Sequence, residues 1–158
     1  MPENRIFYWD ANVFIYYLNN DPHKIKTLEA ILDEIQKRGK DKIVTSAISK
    51  VEVAWAASEK LNRALSIDEE HKIDNLWNDP SIIEIVDLND EITYIARRIL
   101  REAMIKTWKP KTNDAIHLAS AEWVGAAEMH TYDTKLYKYN QLIGIEVKAP
   151  AAKQPKLF

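Results

Sequence analysis

The sequence contains no cysteine, three glycines (Gly39, Gly125 and Gly144) and four histidines (His23, His71, His117 and His130). Without cysteine there is no disulfide framework, thiolate zinc site, iron–sulfur cluster or cysteine nucleophile. The glycines stand too far apart for a Gly-rich phosphate loop or a GxGxxG dinucleotide fingerprint. No two histidines are three or four residues apart, which excludes a helical HExxH zinc site, and no GxSxG elbow is present. No apolar run approaches the ~20 residues needed to span a bilayer. The start MPENRIFYWD lacks the basic-then-apolar order of a signal peptide, so a cytoplasmic protein is expected. Any catalytic chemistry has to come from carboxylates.

What is present is the balance of a folded domain. Hydrophobic residues make up 46% and charged residues 29% of 158 residues, a length that suits one domain. Lys and Arg number 22 against 24 Asp and Glu, a net charge of −2. That balance supplies no global attraction for nucleic acid, so such binding needs a local basic patch.

Short apolar runs alternate with longer amphipathic segments, the pattern of an α/β domain with a mostly parallel sheet. Strands are expected at Arg5 to Trp9, Lys42 to Thr45, Ile82 to Val86, Glu128 to Thr131 and Ile145 to Val147. Helices are expected at Val13 to Leu18, His23 to Lys37, Ala47 to Leu61, Asp68 to Trp77, Asp90 to Lys106 and Asn113 to Val124. Residues 1–148 form the domain, and residues 149–158, carrying Pro150 and Pro155, are expected to be an extended or disordered tail.

Ligands of parallel sheets bind outside the carboxyl ends of the strands. Four acids from distant segments fall on that edge: Asp10 after the first strand, Glu52 in the helix after the second, Asp114 opening the last long helix, and Asp133 after the fourth strand. Structural roles are open to most of them. Asp10 or Asn12 can cap the helix that follows, Asp133 can cap a turn through Leu136, and Asp114 can offset a helix dipole.

Glu52 is harder to explain that way. At about 100° per residue it lies roughly 40° from Ile48, at the margin of the arc of Ile48, Val51 and Trp55 expected to be buried. A carboxylate there needs a cation or donors to offset its desolvation. Clustered carboxylates without His or Cys ligands favour Mg2+ or Mn2+, ions that activate water against phosphodiesters.

These residues resemble a known family. Asp10-Ala11-Asn12 after an aromatic strand, Glu52 in TSAISKVEVAWA, Asp114 in TNDAIHLASA and Thr131-Tyr132-Asp133 are similar in order and spacing to PIN-domain ribonucleases, from about Arg5 to Val147. The resemblance implies a three-layer α/β/α fold with a five-stranded parallel sheet in the order 3-2-1-4-5. It also implies Mg2+ or Mn2+ held by Asp10, Glu52, Asp114 and Asp133, with Asn12 and Thr131 supporting them through hydrogen bonds. Metal-dependent cleavage of RNA follows as the expected activity. Many small members are toxins of Vap-type toxin–antitoxin pairs, which implies a homodimer and a small antitoxin partner. The stretch from Leu61 to Pro80 adds an acidic amphipathic helix to the motif set.

Lysines offer the local basic patch. Lys106, Lys109 and Lys111 surround Trp108 ahead of Asp114, and Lys135 and Lys138 follow Asp133. Lys111 and Lys135, which flank two of the acids, are the expected RNA contacts. Trp108 reads equally as a stacking platform or a buried loop residue. Tyr8, Trp9, Tyr16, Trp55 and Trp123 are assigned to core or dimer contacts, and His117 and His130 to structural roles. Two other readings exist: a catalytically silent PIN-fold binding module, and a receiver-like domain in which Asp87 takes a phosphoryl group near Asp10.

Overall fold

The computed structural model describes residues 4–152. Each short apolar run becomes a parallel strand: β1 (Ile6–Trp9), β2 (Lys42–Ser46), β3 (Ile83–Val86), β4 (Glu128–His130) and β5 (Glu146–Lys148). Their order is β3-β2-β1-β4-β5, which puts the aromatic strand β1 in the middle.

Successive side chains of β1 point to opposite faces of the sheet and seed a core on each side. Tyr8 joins Ile92, Ile99, Leu118 and Met129 on one face. Trp9 joins Val13, Phe14, Leu28, Ile31 and Ile43 on the other. The first core is covered by α5 (Asp90–Ile105) and α6 (Thr112–Trp123). The second is covered by α1 (Ala11–Leu18), α2 (Ile25–Arg38), α3 (Ile48–Leu61) and α4 (Ile67–Asp74). Helices on both faces of a parallel sheet give the three expected layers.

Local signals set the helix ends. Gly39 stops α2 at a left-handed φ of 63°, where a residue without Cβ is unstrained. Ser66 and Glu69 form a capping box at α4, and Asn89 accepts the Ile92 N–H at the start of α5. The acidic segment after Leu61 is therefore a properly capped helix, anchored by buried Ile73 and tightened into a 3-10 turn at Asn75–Trp77. After β4 the chain forms a 3-10 turn (Thr134–Tyr139) and a short α7 (Asn140–Ile143), which pack Leu136, Tyr139 and Ile143 into the first core. A turn capped by Asp133 was among the sequence expectations, whereas the short helix was not.

The roll of α3 also differs from the sequence reading. Val51 is 71% and Trp55 65% exposed, while Ser49 and Val53 face inward. Ser49 sits 2.7 Å from the Thr45 hydroxyl at the end of β2, and this buried polar contact fixes the inner face that hydropathy placed elsewhere. Residues 149–152 form neither helix nor strand, with Pro150 buried. The rest of the expected tail, 153–158, lies outside the described residues. Among the described residues no helix is long and apolar enough to cross a membrane.

His130 gives the fold a pH dependence. The Trp9 indole N–H donates to its Nδ1 at 3.1 Å, and Phe7 stacks on the ring at 5.5 Å. Burial pushes its pKa down from 6.5 to about 4, with Glu128 opposing and Lys148 assisting. The unfolded chain thus takes up a proton that the folded chain refuses. Stability should be full above pH 6.5 and fall by roughly 3 kcal/mol as the pH drops to about 4. In His130→Asn, whose side-chain oxygen replaces Nδ1, urea denaturation between pH 7 and 4.5 should show a correspondingly shallower loss; an unchanged slope would exclude His130 as its source.

Candidate active site

The carboxyl ends of β1, β2 and β4 open onto one edge. Asp10 follows β1 and is only 6% exposed. Its Oδ1 accepts the Ala11 N–H at 2.8 Å, so the residue does cap α1. Its Oδ2 accepts the Thr131 hydroxyl at 2.8 Å and the Asn12 amide at 3.3 Å. Thr131 Oγ1 in turn accepts the Asn12 amide at 2.9 Å and the Asp133 N–H at 3.1 Å, and Asn12 Oδ1 accepts the Tyr132 N–H at 3.1 Å. These bonds tie the β1 and β4 loops into one unit and fix the Asp10 carboxylate.

Glu52 projects from α3 towards α6. Its Oε1 lies 2.5 Å from His117 Nε2, and its Oε2 accepts the Asn113 amide at 2.8 Å. The same His117 Nε2 is 3.4 Å from Asp10 Oδ1. With two carboxylates at Nε2, that nitrogen carries a proton and donates it to Glu52. Nδ1 lies 2.6 Å from the Tyr8 hydroxyl, whose oxygen accepts the Ser46 N–H at 3.1 Å.

Burial pulls the His117 pKa down, but Asp10, Glu52 and Asp114 outweigh it and hold it above 6.5. Burial likewise pushes the Glu52 carboxyl up, and the hydrogen bond and charge of His117, with the Asn113 amide, bring it below its ordinary value. Burial and the Asp10 charge together push the Tyr8 phenol well up.

Asp114, in the first turn of α6, accepts the Lys111 N–H at 3.2 Å. Burial raises its pKa, the Lys111 N–H lowers it, and the charges of Asp10 and Asp133 raise it further, for a net rise. Asp133 caps the 3-10 turn by accepting the Lys135 N–H at 3.1 Å. Among the described residues, no Lys or Arg pairs with Asp10, Asp114 or Asp133, and His117 is the only basic side chain that contacts this set.

The edge therefore carries partly buried negative charge in excess of its positive charge. Its donors are carboxylate oxygens, which suit a hard divalent cation. Among the described residues, no three Asp, Glu or His side chains stand close enough together to ligate one ion as placed. The fit to a metal rests on donor chemistry and uncompensated charge.

Lys111 and Lys135 are exposed beside Asp114 and Asp133. Trp108 is partly buried, edge-on to Tyr139 at 5.0 Å, with Lys106 and Lys138 over its ring at 5.5 and 4.7 Å, so it packs rather than offering a bare face. Asp87 is exposed after β3, and β2 separates that strand from β1, which removes the proximity to Asp10 that a receiver-like reading needs.

The sequence reading passed over Asn113 and Tyr8 as site residues and took His117 as structural. A signal was present in the spacing: Asn113 and His117 are four apart and Asp114 and His117 three apart, which places all of them on one helix face.

The family profile described as PIN domain matches residues 7–142. No curated protein matches the sequence. Solved structures with similar folds include VapBC2 from Rickettsia felis bound to a DNA fragment from their promoter, with a TM-score of 0.67 at 16% identity over 91% of this chain and 98% of that one. VapBC-1 from nontypeable Haemophilus influenzae gives 0.65 at 16% identity, covering 91% and 97%. FitAcB from Neisseria gonorrhoeae gives 0.66 at 18% identity, also covering 91% and 97%. At these identities the structures speak for the fold alone, and it is the profile match over most of the chain that assigns the family: the chain belongs to the PIN domain family.

Proposed function

We propose that this chain is a Mg2+- or Mn2+-dependent endoribonuclease and the toxin of a type II toxin–antitoxin pair. The observation that carries the reading is the group of partly buried aspartates at the sheet edge, short of positive charge, on a PIN fold. Asp10, Glu52, Asp114 and Asp133 would hold the metal. When bound, it supplies Lewis-acid activation of water and charge stabilisation at the phosphoryl oxygens. Asn12 and Thr131 hold the Asp10 carboxylate at a fixed angle through the bonds to its Oδ2. The Asp114 carboxylate accepts the Lys111 N–H and that of Asp133 the Lys135 N–H, so each aspartate is tethered at the edge by at least one backbone bond.

Lys111 and Lys135 would guide the RNA backbone. Replacing both with Ala should raise KM several-fold, leave kcat nearly unchanged, and reduce the salt dependence of binding by about one to two phosphate contacts. An unchanged KM and salt slope would remove them from the substrate path.

The exposed apolar side chains Val51 (71%), Trp55 (65%) and Ile67 (70%) on α3 and α4 support a homodimer. Trp55→Lys should then halve the mass measured by light scattering; an unchanged mass would move the interface elsewhere. A groove of about 830 Å³ between α1, α2 and α4, with Leu18, Leu32, Leu76 and Ile82 among its walls, suits an amphipathic segment of an antitoxin. We place the protein in the cytoplasm with its RNA substrate.

The direct test is cleavage of single-stranded RNA by the purified chain in Mn2+ and in chelator. Cleavage confined to Mn2+ supports the nuclease reading. RNA binding with no cleavage under either condition would replace it with a silent binding module.

A further inference from the structure

Glu52 differs from the other three acids in how it is held. The aspartates are held by backbone N–H groups within three residues of them in sequence, at Ala11, Lys111 and Lys135. Glu52 has no such local donor. It sits mid-helix on α3, on a longer side chain with one more rotatable bond, and α3 turns only Ser49 and Val53 inward. Both of its oxygens are instead held from α6, by Asn113 at 2.8 Å and His117 at 2.5 Å, residues four apart on that helix.

His117 is itself held. It is 1% exposed, and its Nδ1 meets the Tyr8 hydroxyl at 2.6 Å. Tyr8 is fully buried in β1 and accepts the Ser46 N–H from the end of β2 at 3.1 Å. An unbroken run of contacts thus leads from the backbone of β2, through β1 and α6, to Glu52 on α3. A buried histidine needs only to have its hydrogen bonds satisfied. Here its outer nitrogen is aimed between two acids of the proposed site, at 2.5 Å from Glu52 and 3.4 Å from Asp10.

We propose that His117, braced by Tyr8, is the positioning residue for Glu52, setting where that carboxylate stands relative to Asp10. The inference rests on the nuclease reading above and adds to it a residue that touches neither substrate nor metal. It acts by donating Nε2–H to Glu52, so a side chain that places a donor at the same reach should replace it. The Gln amide nitrogen falls near the Nε2 position, whereas the shorter Asn amide ends near Nδ1.

The test compares His117→Gln, His117→Asn and His117→Leu, measuring Mn2+ affinity by calorimetry, RNA cleavage, and thermal unfolding. His117→Leu and His117→Asn should weaken Mn2+ binding and lower kcat by about 10–100-fold, the range for outer-sphere partners of metal ligands, with KM for RNA changed less than about twofold. His117→Gln should recover most of both losses. In a Glu52→Gln background, His117→Leu should add no loss beyond about twofold, because the histidine acts only through that carboxylate.

Wild-type Mn2+ affinity and kcat in His117→Leu, a Gln variant no better than Asn, or an undiminished further loss in the Glu52→Gln background would each overturn the proposal. If His117→Leu does not fold, the Gln and Asn pair decides it. A wild-type chain that neither binds Mn2+ nor cleaves RNA would defeat the nuclease reading itself, whereas an active wild type indifferent to His117 would defeat only this inference.

Discussion

Asp10→Asn is expected to lower RNA cleavage by at least about a thousandfold, ~4 kcal/mol of transition-state stabilisation, while the chain stays folded. The substitution is nearly isosteric. The Asn oxygen can still accept the Ala11 N–H that starts α1, and His117 keeps its shorter contact to Glu52 at 2.5 Å. At the Oδ2 position, an amide would face the Thr131 hydroxyl and the Asn12 amide, which both now donate to oxygen. Thr131 Oγ1 already accepts the Asn12 amide and the Asp133 N–H, so the new amide is left without an acceptor there, at a structural cost of about 1–3 kcal/mol. What disappears is the most buried negative charge of the edge. Initial rates in Mn2+, taken with thermal unfolding of the same preparation, separate loss of chemistry from loss of fold. Activity within about tenfold of wild type would show that Asp10 is only a helix cap.

Asp114→Asn is expected to lose cleavage to a similar extent, yet to make the metal-free chain more stable. Burial disfavours the Asp114 charge, the Lys111 N–H offsets part of this, and Asp10 and Asp133 add repulsion. A carboxyl whose folded pKa is raised keeps its full stability below the unfolded value of 3.8 and loses some as the pH rises through the folded one. At pH 7 the charged residue is therefore a cost, and Asn removes the charge while its oxygen can still accept the Lys111 N–H. The group is only partly buried, so solvent screening limits the gain to roughly 0.5–1 kcal/mol, or about 1–4 °C in Tm. Mn2+ should reverse the order. At about 100 times its Kd it should stabilise the wild type by ~2.7 kcal/mol and the variant by far less. A variant that is less stable than wild type in chelator, or equally stabilised by Mn2+, would contradict the charge account.

Much of this was legible in the sequence because two short periodicities dominate it. Apolar strands such as IFYW and IEIV and one-sided helices such as α5 announce themselves through burial alone, and placing four acids on one edge needs only the rule that parallel strands end together. The strand order came from the resemblance and agrees with the observed sheet. Where hydropathy failed, a polar contact prevailed. The face of α3 carrying Val51 and Trp55 was expected inside, yet Ser49 bonded to Thr45 faces inward instead. After Asp133 only the cap of a turn was legible, because 3-10 turns and a four-residue helix have no usable periodicity. His117 is packed, as a lone histidine on an apolar helix usually is. It is core on the Tyr8 side, and only its Nε2 reaches the acids, a division between two ends of one ring that sequence spacing does not encode.

The central claim is that the acidic edge works as a metal-dependent nuclease centre. It is tested most directly by the rate at which the wild-type chain cleaves single-stranded RNA as Mn2+ is titrated in from a chelated baseline, with Asp114→Asn measured in parallel. The expected result is no cleavage at the baseline, a saturable rise with Mn2+ in the wild type, and no rise in the variant. Cleavage that persists in chelator, or that rises equally in Asp114→Asn, would contradict it.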